Sequence, residues 1–207
     1  MANKNFIQLN GQKIFLTDAQ VAEIQDSFGI GAVQLGSLKA GRTFKIGKYE
    51  FIVLEHSAFT TAVICKNLLK DCQKFSNKNN NFDGSLADDA CKVFATEIES
   101  IIGADNLVLH TVDLTSDDGL KDYGKVKRKV SLLTTNLYRR YVDILDKFKV
   151  NKWWWLVTAF STPKHEDSTW VKCVSPRGDI DHYVYNREYG LRPFCIFDSN
   201  IFVSPTN

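Results

Sequence analysis

The stretch KWWWLVTAF, residues 152–160, carries three of the four tryptophans in this chain of 207 residues. Successive side chains of a β-strand point to opposite faces of a sheet. As a strand, the stretch places Trp153 and Trp155 on one face and Trp154 on the other, so the indoles cannot form a single exposed stacking surface. We therefore expect at least one face to be buried, with hydrogen-bond partners for the buried indole N–H groups.

The composition limits the classes of function. With 26 basic and 24 acidic residues, the net charge of +2 is too balanced to predict direct binding to a nucleic acid. The chain has no apolar run long enough for a membrane span, and residues 1–13 lack the layout of a secretion signal. These features predict a cytoplasmic protein with no membrane partner.

Alternation of apolar and polar residues predicts most of the strands around the tryptophans. The predicted strands are 43–46, 49–56, 61–67, 153–159, 169–175, 179–185 and 191–197. The first three of them are expected to form an antiparallel meander, because a Gly-Lys turn joins the first two.

Three helices are predicted from their N-terminal capping residues. Thr17 begins the first helix, Ser85 begins a second that ends at Gly103, and Thr134 begins a third. The apolar residues of the second helix keep helical spacing up to Gly103. They are Leu86, Ala90, Val93, Phe94, Ile98 and Ile101.

The elements together predict an α+β fold of antiparallel strands and two packed helices, with an added N-terminal helix. We expect residues 1–40 to form a helical appendage and residues 41–207 to form the main domain.

Candidate catalytic and metal-binding side chains give only weak evidence of a site. Five cysteines without a C-x-x-C motif are typical of reduced, mostly buried thiols, although a Cys173–His182 pair on neighbouring strands stays open as a catalytic pair. The four histidines lack the spacing of zinc ligands. The loop DLTSDDGLKDYG, residues 113–124, lacks the spacing of a calcium loop. We predict a solvated turn there, and no catalytic residue, metal site or cofactor.

The segment 161–189 mixes aromatic, amphipathic and charged side chains, as protein-binding surfaces do. Strand alternation is expected to send Trp170 and Lys172 to one face and Val171 and Cys173 to the other. An ordinary solvated hairpin is the alternative interpretation. The candidate binding residues are His165, Asp167, Trp170, Lys172, Arg177, Asp179, Asp181, His182, Tyr183, Tyr185 and Arg187.

The order of these motifs resembles an uncharacterised bacterial domain family that is common in Firmicutes and their phages. Its signature is a W-W-L-[RA]-[ST]-P box followed by a closing G-[VL]-R-P-[AF] box, and this chain carries WWL at 154–156 and GLRP at 190–193. Val157 and Ala159 depart from the signature. The resemblance covers residues 43–203 and implies a C-type-lectin-like fold, related to the formylglycine-generating enzymes and to variable proteins diversified by retroelements.

For function, the resemblance implies a compact scaffold that displays a variable surface, here residues 161–189. We expect a non-enzymatic protein-binding module. One version is a phage or prophage accessory protein that inhibits a host defence nucleoprotein complex such as a CRISPR effector. Two alternatives stay open, a virion or cell-surface receptor-binding protein and a cysteine-dependent enzyme, and so does assembly into a homo-oligomer.

Overall fold

The computed structural model of the protein describes residues 6–9, 12–27 and 31–206. Of the chain, 24% is helical and 36% lies in mostly antiparallel strands, so the predicted α+β class is confirmed. The helices are α1 (Asp18–Ser27), α2 (Leu86–Ile102), α3 (Thr135–Arg140) and α4 (Val142–Leu145). The strands are β1 (Phe6–Leu9), β2 (Gln12–Phe15), β3 (Val33–Gln34), β4 (Thr43–Ile46), β5 (Tyr49–His56), β6 (Thr60–Cys65), β7 (Lys70–Lys74), β8 (His110–Asp113), β9 (Lys125–Arg128), β10 (Val130–Ser131), β11 (Trp154–Ala159), β12 (Trp170–Val174), β13 (Ile180–Val184), β14 (Glu188–Leu191), β15 (Phe194–Asp198) and β16 (Phe202–Thr206).

Within these ranges the strands form two large sheets and two hairpins. The seven-stranded sheet has the order β10-β15-β6-β5-β4-β16-β3, and the five-stranded sheet has the order β13-β12-β11-β14-β7. β4, β5 and β6 are neighbours in the first sheet and pair antiparallel, which confirms the predicted meander. β1 pairs with β2 and β8 with β9, and these two hairpins are not predicted from the sequence.

Two clusters of buried side chains form the core, and both sheets contribute to each. The larger core cluster contains Phe51 and Trp155, and the smaller core cluster contains Ile52 and Trp154. Trp153 is half-buried against the larger cluster. The predicted alternation of the three tryptophans is therefore confirmed, and both faces of β11 are buried. The indole N–H of Trp155 donates to the Gln73 carbonyl over 3.0 Å.

The two signature boxes lie side by side. β11 pairs parallel with β14, with Trp154 opposite Gly190, and the Gly190 N–H donates to the Trp153 carbonyl over 2.8 Å. A Cβ atom at Gly190 would stand 2.4 Å from Leu68 Cδ1, so a glycine allows this close approach.

The predicted single strand 191–197 is instead two strands, β14 in the five-stranded sheet and β15 in the seven-stranded sheet. Arg192 and Pro193 cross from one sheet to the other, and a proline cannot donate to a continuous ladder. Arg192 is 1% exposed. Its guanidinium donates to the main-chain carbonyls of Cys65, Lys66 and Phe148 over 2.9–3.0 Å.

The long helix α2 begins as predicted, because Ser85 Oγ accepts from the Asp88 N–H. Its buried face includes Ala90, Phe94 and Ile98. Val93, which keeps the helical spacing, is 71% exposed and lies outside this face. Leu86 and Ile101 are also exposed. The face that points inward contains small residues, Ala87, Cys91 and Ala95, because they let the helix approach the sheets closely.

The N-terminal region contains the predicted helix and a further strand pairing. The Gln20 N–H donates to Thr17 Oγ1 over 3.3 Å, and the Thr17 N–H donates to Gln20 Oε1 over 2.9 Å. β3 pairs with β16, and Leu35 is fully buried in the larger core cluster. Part of the predicted appendage 1–40 therefore packs with the main sheet; its residues 1–5, 10, 11 and 28–30, and residue 207 of the main domain, lie outside the described ranges.

Candidate functional site

The antiparallel pairing of β12 with β13 decides where the candidate binding residues lie. Trp170 pairs with Val184, and Lys172 pairs with His182. Because directly paired residues point to the same face, Trp170, Lys172 and His182 share one face of the five-stranded sheet. Val171 and Cys173 lie on the opposite face, together with their partners Tyr183 and Asp181. The predicted alternation along β12 is confirmed.

Four side chains on that face form a compact group, which we call the Trp170 patch: Phe160, Trp170, Lys172 and His182. The Phe160 ring stacks on the His182 ring at 4.6 Å, and the Trp170 ring meets His182 edge-on at 5.6 Å. The ammonium of Lys172 lies 5.7 Å above the Phe160 ring. Phe160 and Trp170 are each 37% exposed. Because the rings of Phe160 and Trp170 both contact His182, they form one partly exposed aromatic surface.

Phe160 was not among the sequence candidates. It follows β11 and lies an even number of positions after Trp154. Alternation along the strand could therefore have placed both side chains on this face. The sequence could not show that the helices cover only part of the face. α3 and α4 pack over Trp154 in the smaller core cluster, whereas Phe160 stays exposed.

Other candidates lie elsewhere. Asp181 and Tyr183 lie on the opposite face of β13, and the Tyr183 ring packs against Trp153 at 5.3 Å. Tyr185 lies in the turn that follows β13 and packs against the larger core cluster. Arg177 and Asp179 form an ion pair of 3.2 Å in the turn between β12 and β13. Arg187 is exposed in the turn that precedes β14, and His165 and Asp167 lie in the loop before β12. The eleven candidates therefore do not form one continuous surface.

The acidic loop 113–124 packs against the loop that precedes β12. Asp118 Oδ2 accepts from Ser161 Oγ over 2.7 Å and lies 3.1 Å from His165 Nδ1. Asp122 accepts from the Thr162 hydroxyl. Asp118 and Asp122 are exposed, as expected for a solvated turn, and they also accept hydrogen bonds from the neighbouring loop.

These hydrogen bonds also lower the pKa of Asp118. Burial alone would raise the pKa of this carboxyl, but hydrogen bonds from Ser116, Ser161 and His165 outweigh it and lower the pKa to about 2. Asp118 is therefore ionised at neutral pH and holds His165 in place. Among the described residues, no group of three or more His, Cys, Asp or Glu side chains could hold a metal ion.

Asn80 joins a third loop to this site. Asn80 lies in the loop 76–84 and is fully buried. Its side-chain Nδ2 donates to the carbonyls of Ser161 and Trp170, each over 3.0 Å, and its Oδ1 accepts from the Tyr123 hydroxyl over 2.6 Å. Its main-chain N–H donates to the Ser168 carbonyl over 2.9 Å. One amide thus fixes both ends of the segment 161–170.

Replacing Asn80 with alanine is expected to lower the free energy of unfolding by about 2 kcal/mol, because buried carbonyl and hydroxyl groups lose their partners. Amide hydrogen exchange should rise most around Ser161 and Trp170, whose carbonyls lose the bond from the Asn80 side chain, and urea denaturation measures the stability. Asn81→Ala, which removes one exposed hydrogen bond to the Asp83 N–H, is the matched control. Equal exchange at Trp170 in both variants would contradict the role of Asn80.

The catalytic pair left open by the sequence does not form. Cys173 pairs with Asp181 and His182 pairs with Lys172, so the thiol and the imidazole point to opposite faces. Burial raises the pKa of Cys173 to about 12, which keeps the thiol protonated.

Comparisons with family models, curated proteins and solved structures give no match to this chain. Among the described residues, no helix has the length and apolar character needed to cross a membrane.

Proposed function

We propose that this protein is a non-enzymatic binding module that recognises a protein partner through the Trp170 patch. The observation that carries the proposal is the exposed contact between Phe160, Trp170 and His182. Tryptophan and other large aromatic residues contribute most of the binding energy at many protein interfaces. The Lys172 ammonium beside the rings is buried and pairs with Asp117 over 3.2 Å, so it helps to hold the patch in place.

The rigidity of the patch supports the same function. Asn80 holds the carbonyls of Ser161 and Trp170, and Asp118 holds His165. A surface that is already ordered loses little side-chain and loop entropy when a partner binds. The patch is therefore suited to binding in the conformation that the free protein already has.

The finer parts of the proposal rest on the family resemblance. The parallel pairing of Trp154 with Gly190 supports a C-type-lectin-like scaffold, since the tryptophan box and the closing box are expected to pack together in it. In such a scaffold the residues after the tryptophan box display the binding surface, and Trp170 lies there. A host defence nucleoprotein complex in the bacterial cytoplasm remains the proposed partner.

The burial of four of the thiols makes the alternative, a cysteine-dependent enzyme, less favoured. Cys65, Cys91, Cys173 and Cys195 are buried, and burial raises the pKa of each. A nucleophilic cysteine needs a lowered pKa and access to the substrate.

The test uses the full chain as immobilised bait in a bacterial host lysate. A partner retained by the unaltered protein is identified, purified and titrated against the variants. Trp170→Ala is expected to weaken its binding about 30-fold or more, since truncation of a central aromatic residue costs at least about 2 kcal/mol. Val93→Ala, at an exposed site on α2, should bind as the unaltered chain does. If Trp170→Ala and Phe160→Ala, both folded, retain every captured protein with unchanged affinity, the proposed surface is wrong.

A further inference from the structure

The edge strands of the two large sheets are unequally protected. Among the described strands, these edges are β10, β3, β13 and β7. β10 and β3 are only two residues long, and short edge strands offer few main-chain groups to another chain. β7 has Lys70 and Lys74 at its ends, and the Gln73 side chain donates to the Leu86 carbonyl at the start of α2 over 2.8 Å. β13 has five residues and neither lysine nor proline, so it is the least protected of the four.

The main-chain groups of β13 alternate between its two sides. The Ser175 N–H donates to the Asp179 carbonyl over 2.9 Å, and the Tyr185 N–H donates to the Thr169 carbonyl over 3.0 Å. Hydrogen-bonded positions alternate along an antiparallel pair, so the odd-numbered residues of β13 bond to β12. The even-numbered residues therefore direct their main-chain groups to the open edge. They are Ile180, His182 and Val184.

Two of these edge groups have partners within the chain. The Arg187 N–H donates to the Val184 carbonyl over 2.9 Å, and the His182 N–H donates to Asp181 Oδ1 over 2.8 Å. The main-chain groups of Ile180, the His182 carbonyl and the Val184 N–H have no partner among the described residues. Donors and acceptors for an added strand are therefore present along the whole of β13.

Aromatic side chains flank this edge on both faces of the sheet. His182 lies on the face of the Trp170 patch and contacts the exposed rings there. Tyr183 lies on the other face, where its ring packs at 5.3 Å against both Trp153 and Tyr189. Because side chains alternate along a strand, an added strand would place residues beside both aromatic groups.

The charge at the edge determines which segment fits. The Asp181 side chain is 46% exposed and pairs with no lysine or arginine among the described residues. When a partner carbonyl accepts from the His182 N–H in its place, the Asp181 carboxylate is free to pair with a cation on that strand. Opposite charges across two strands stabilise their pairing. A second copy of β13 would bring another Asp181 and neither lysine nor arginine, so a basic segment of a different protein is favoured.

We propose that β13 binds an extended basic segment of a protein partner as a sixth strand of this sheet. The segment runs antiparallel to β13, the more stable pairing per residue. One of its carbonyls accepts from the His182 N–H, and its lysine or arginine pairs with Asp181. Its alternate apolar side chains lie beside the Trp170 patch. This inference rests on the proposed function, because it specifies how a protein partner lies against that patch.

The probe for this proposal is the acetylated and amidated peptide Lys-Val-Lys-Val-Lys-Val-Lys, which as a strand has a basic face and an apolar face. Titration of the ¹⁵N-labelled full chain should shift the amide signals of Ile180, His182 and Val184 saturably, with a dissociation constant below about 1 mM. The peptide Glu-Val-Glu-Val-Glu-Val-Glu keeps the apolar face and reverses the charge. It should bind about 10-fold more weakly or worse.

Methylated peptides test the main-chain hydrogen bonds on the unaltered protein. In the proposed pairing the valines lie opposite the even-numbered residues, so their N–H groups face β13. Methylating two of the valine nitrogens should weaken binding about 10-fold. Methylating the nitrogens of the two inner lysines, which face solvent in the same pairing, is the matched control and should change the affinity by less than about 2-fold.

Variants of the protein test the same contacts from the other side. Val184→Pro removes a donor at the open edge and no hydrogen bond to β12, so it should weaken peptide binding about 5-fold. Val184→Thr keeps the N–H and the branched shape and should leave binding unchanged. Asp181→Asn should weaken binding of the lysine peptide about 5-fold, whereas Asp89→Asn on α2 should have no effect.

Saturable binding that follows this order supports strand addition. Binding that valine methylation and Val184→Pro leave unchanged would overturn it. A dimer of the free chain in sedimentation that Val184→Pro dissociates would also overturn it, because a second copy would then occupy the edge.

Trp170→Ala separates this inference from the proposed function. A captured partner that Trp170→Ala releases and Val184→Pro retains would leave the Trp170 patch correct and strand addition wrong. Peptide binding that depends on the edge donors, in a protein whose captured partners are all retained by Trp170→Ala and Phe160→Ala, would support strand addition and exclude the patch.

Discussion

Replacing Arg192 with alanine should lower the free energy of unfolding by about 4 kcal/mol. The guanidinium donates to the main-chain carbonyls of Cys65, Lys66 and Phe148, and it lies 5.4 Å from the Trp154 ring. Burial lowers the pKa of Arg192 to about 10, so the group stays charged at neutral pH. Its removal leaves carbonyls unpaired and opens a cavity where the chain crosses between the two sheets.

Urea denaturation followed by tryptophan fluorescence measures the loss, because Trp154 and Trp155 are buried on opposite faces of β11. Arg192→Lys should lose about half as much, since a compact ammonium cannot reach carbonyls in several directions. Arg177→Ala is the matched control, because that side chain is 88% exposed, and it should change stability by less than about 0.5 kcal/mol. A loss below about 1 kcal/mol for Arg192→Ala would show that water or rearranged side chains replace its contacts.

The second large effect is expected at Asp88, which is fully buried in the first turn of α2. Arg128 donates to both of its carboxylate oxygens, over 2.7 and 2.9 Å, and Lys92 lies 2.8 Å away. The Gly84 N–H donates to the same carboxylate over 3.0 Å. Asp88→Asn leaves the Arg128 guanidinium without its buried counter-charge, so we expect a loss of about 3 kcal/mol.

Asp89→Asn is the control for this substitution, because the Asp89 side chain is 63% exposed and bonds only to Lys92 among its described neighbours. It should cost less than about 0.5 kcal/mol. The pH dependence gives a second measurement. Burial alone would raise the pKa of Asp88, but the hydrogen bonds from Arg128, Lys92 and Gly84 outweigh it and hold the pKa below its usual value.

A folded-state pKa below the unfolded value stabilises the protein above the unfolded pKa of about 3.9, and this contribution is lost as the pH falls through the folded pKa. The difference in stability between the unaltered protein and Asp88→Asn should therefore be constant from about pH 7 to pH 5 and should narrow below about pH 4. A difference that stays constant down to about pH 2 would mean that the ionised carboxylate is not what stabilises the fold.

Local patterns in the sequence were sufficient to predict individual strands and helices. The strand bounds of β4 and β5 agree with prediction, and so do the caps of α2 and α3 at Ser85 and Thr134. These features depend on alternation and on capping side chains, which the sequence displays directly. The pairing of β16 with β4 joins residues far apart in the chain, and no local pattern encodes such a partner.

The candidate site was predictable in part for the same reason. Alternation placed Trp170 and Lys172 on one face correctly, and it applied equally to Phe160. Nothing near Asn80 in the sequence indicates that its amide bonds to Ser161 and Trp170, because those contacts exist only after three loops meet. The run 76–84 is mostly polar and has no helix or strand periodicity, yet Ser76, Asn80 and Phe82 within it are buried.

The sharing of β11 between the two core clusters has a consequence for how the protein unfolds. Trp154 and Trp155 are neighbours on one backbone, and each anchors a different cluster. β5 repeats the arrangement with Ile52 and Phe51. Because β11 and β5 contribute to both clusters, one cluster cannot unfold while the other keeps these strands in place. The two clusters therefore unfold as one cooperative unit. A melting curve of the main domain should therefore show a single transition, with calorimetric and van't Hoff enthalpies that agree.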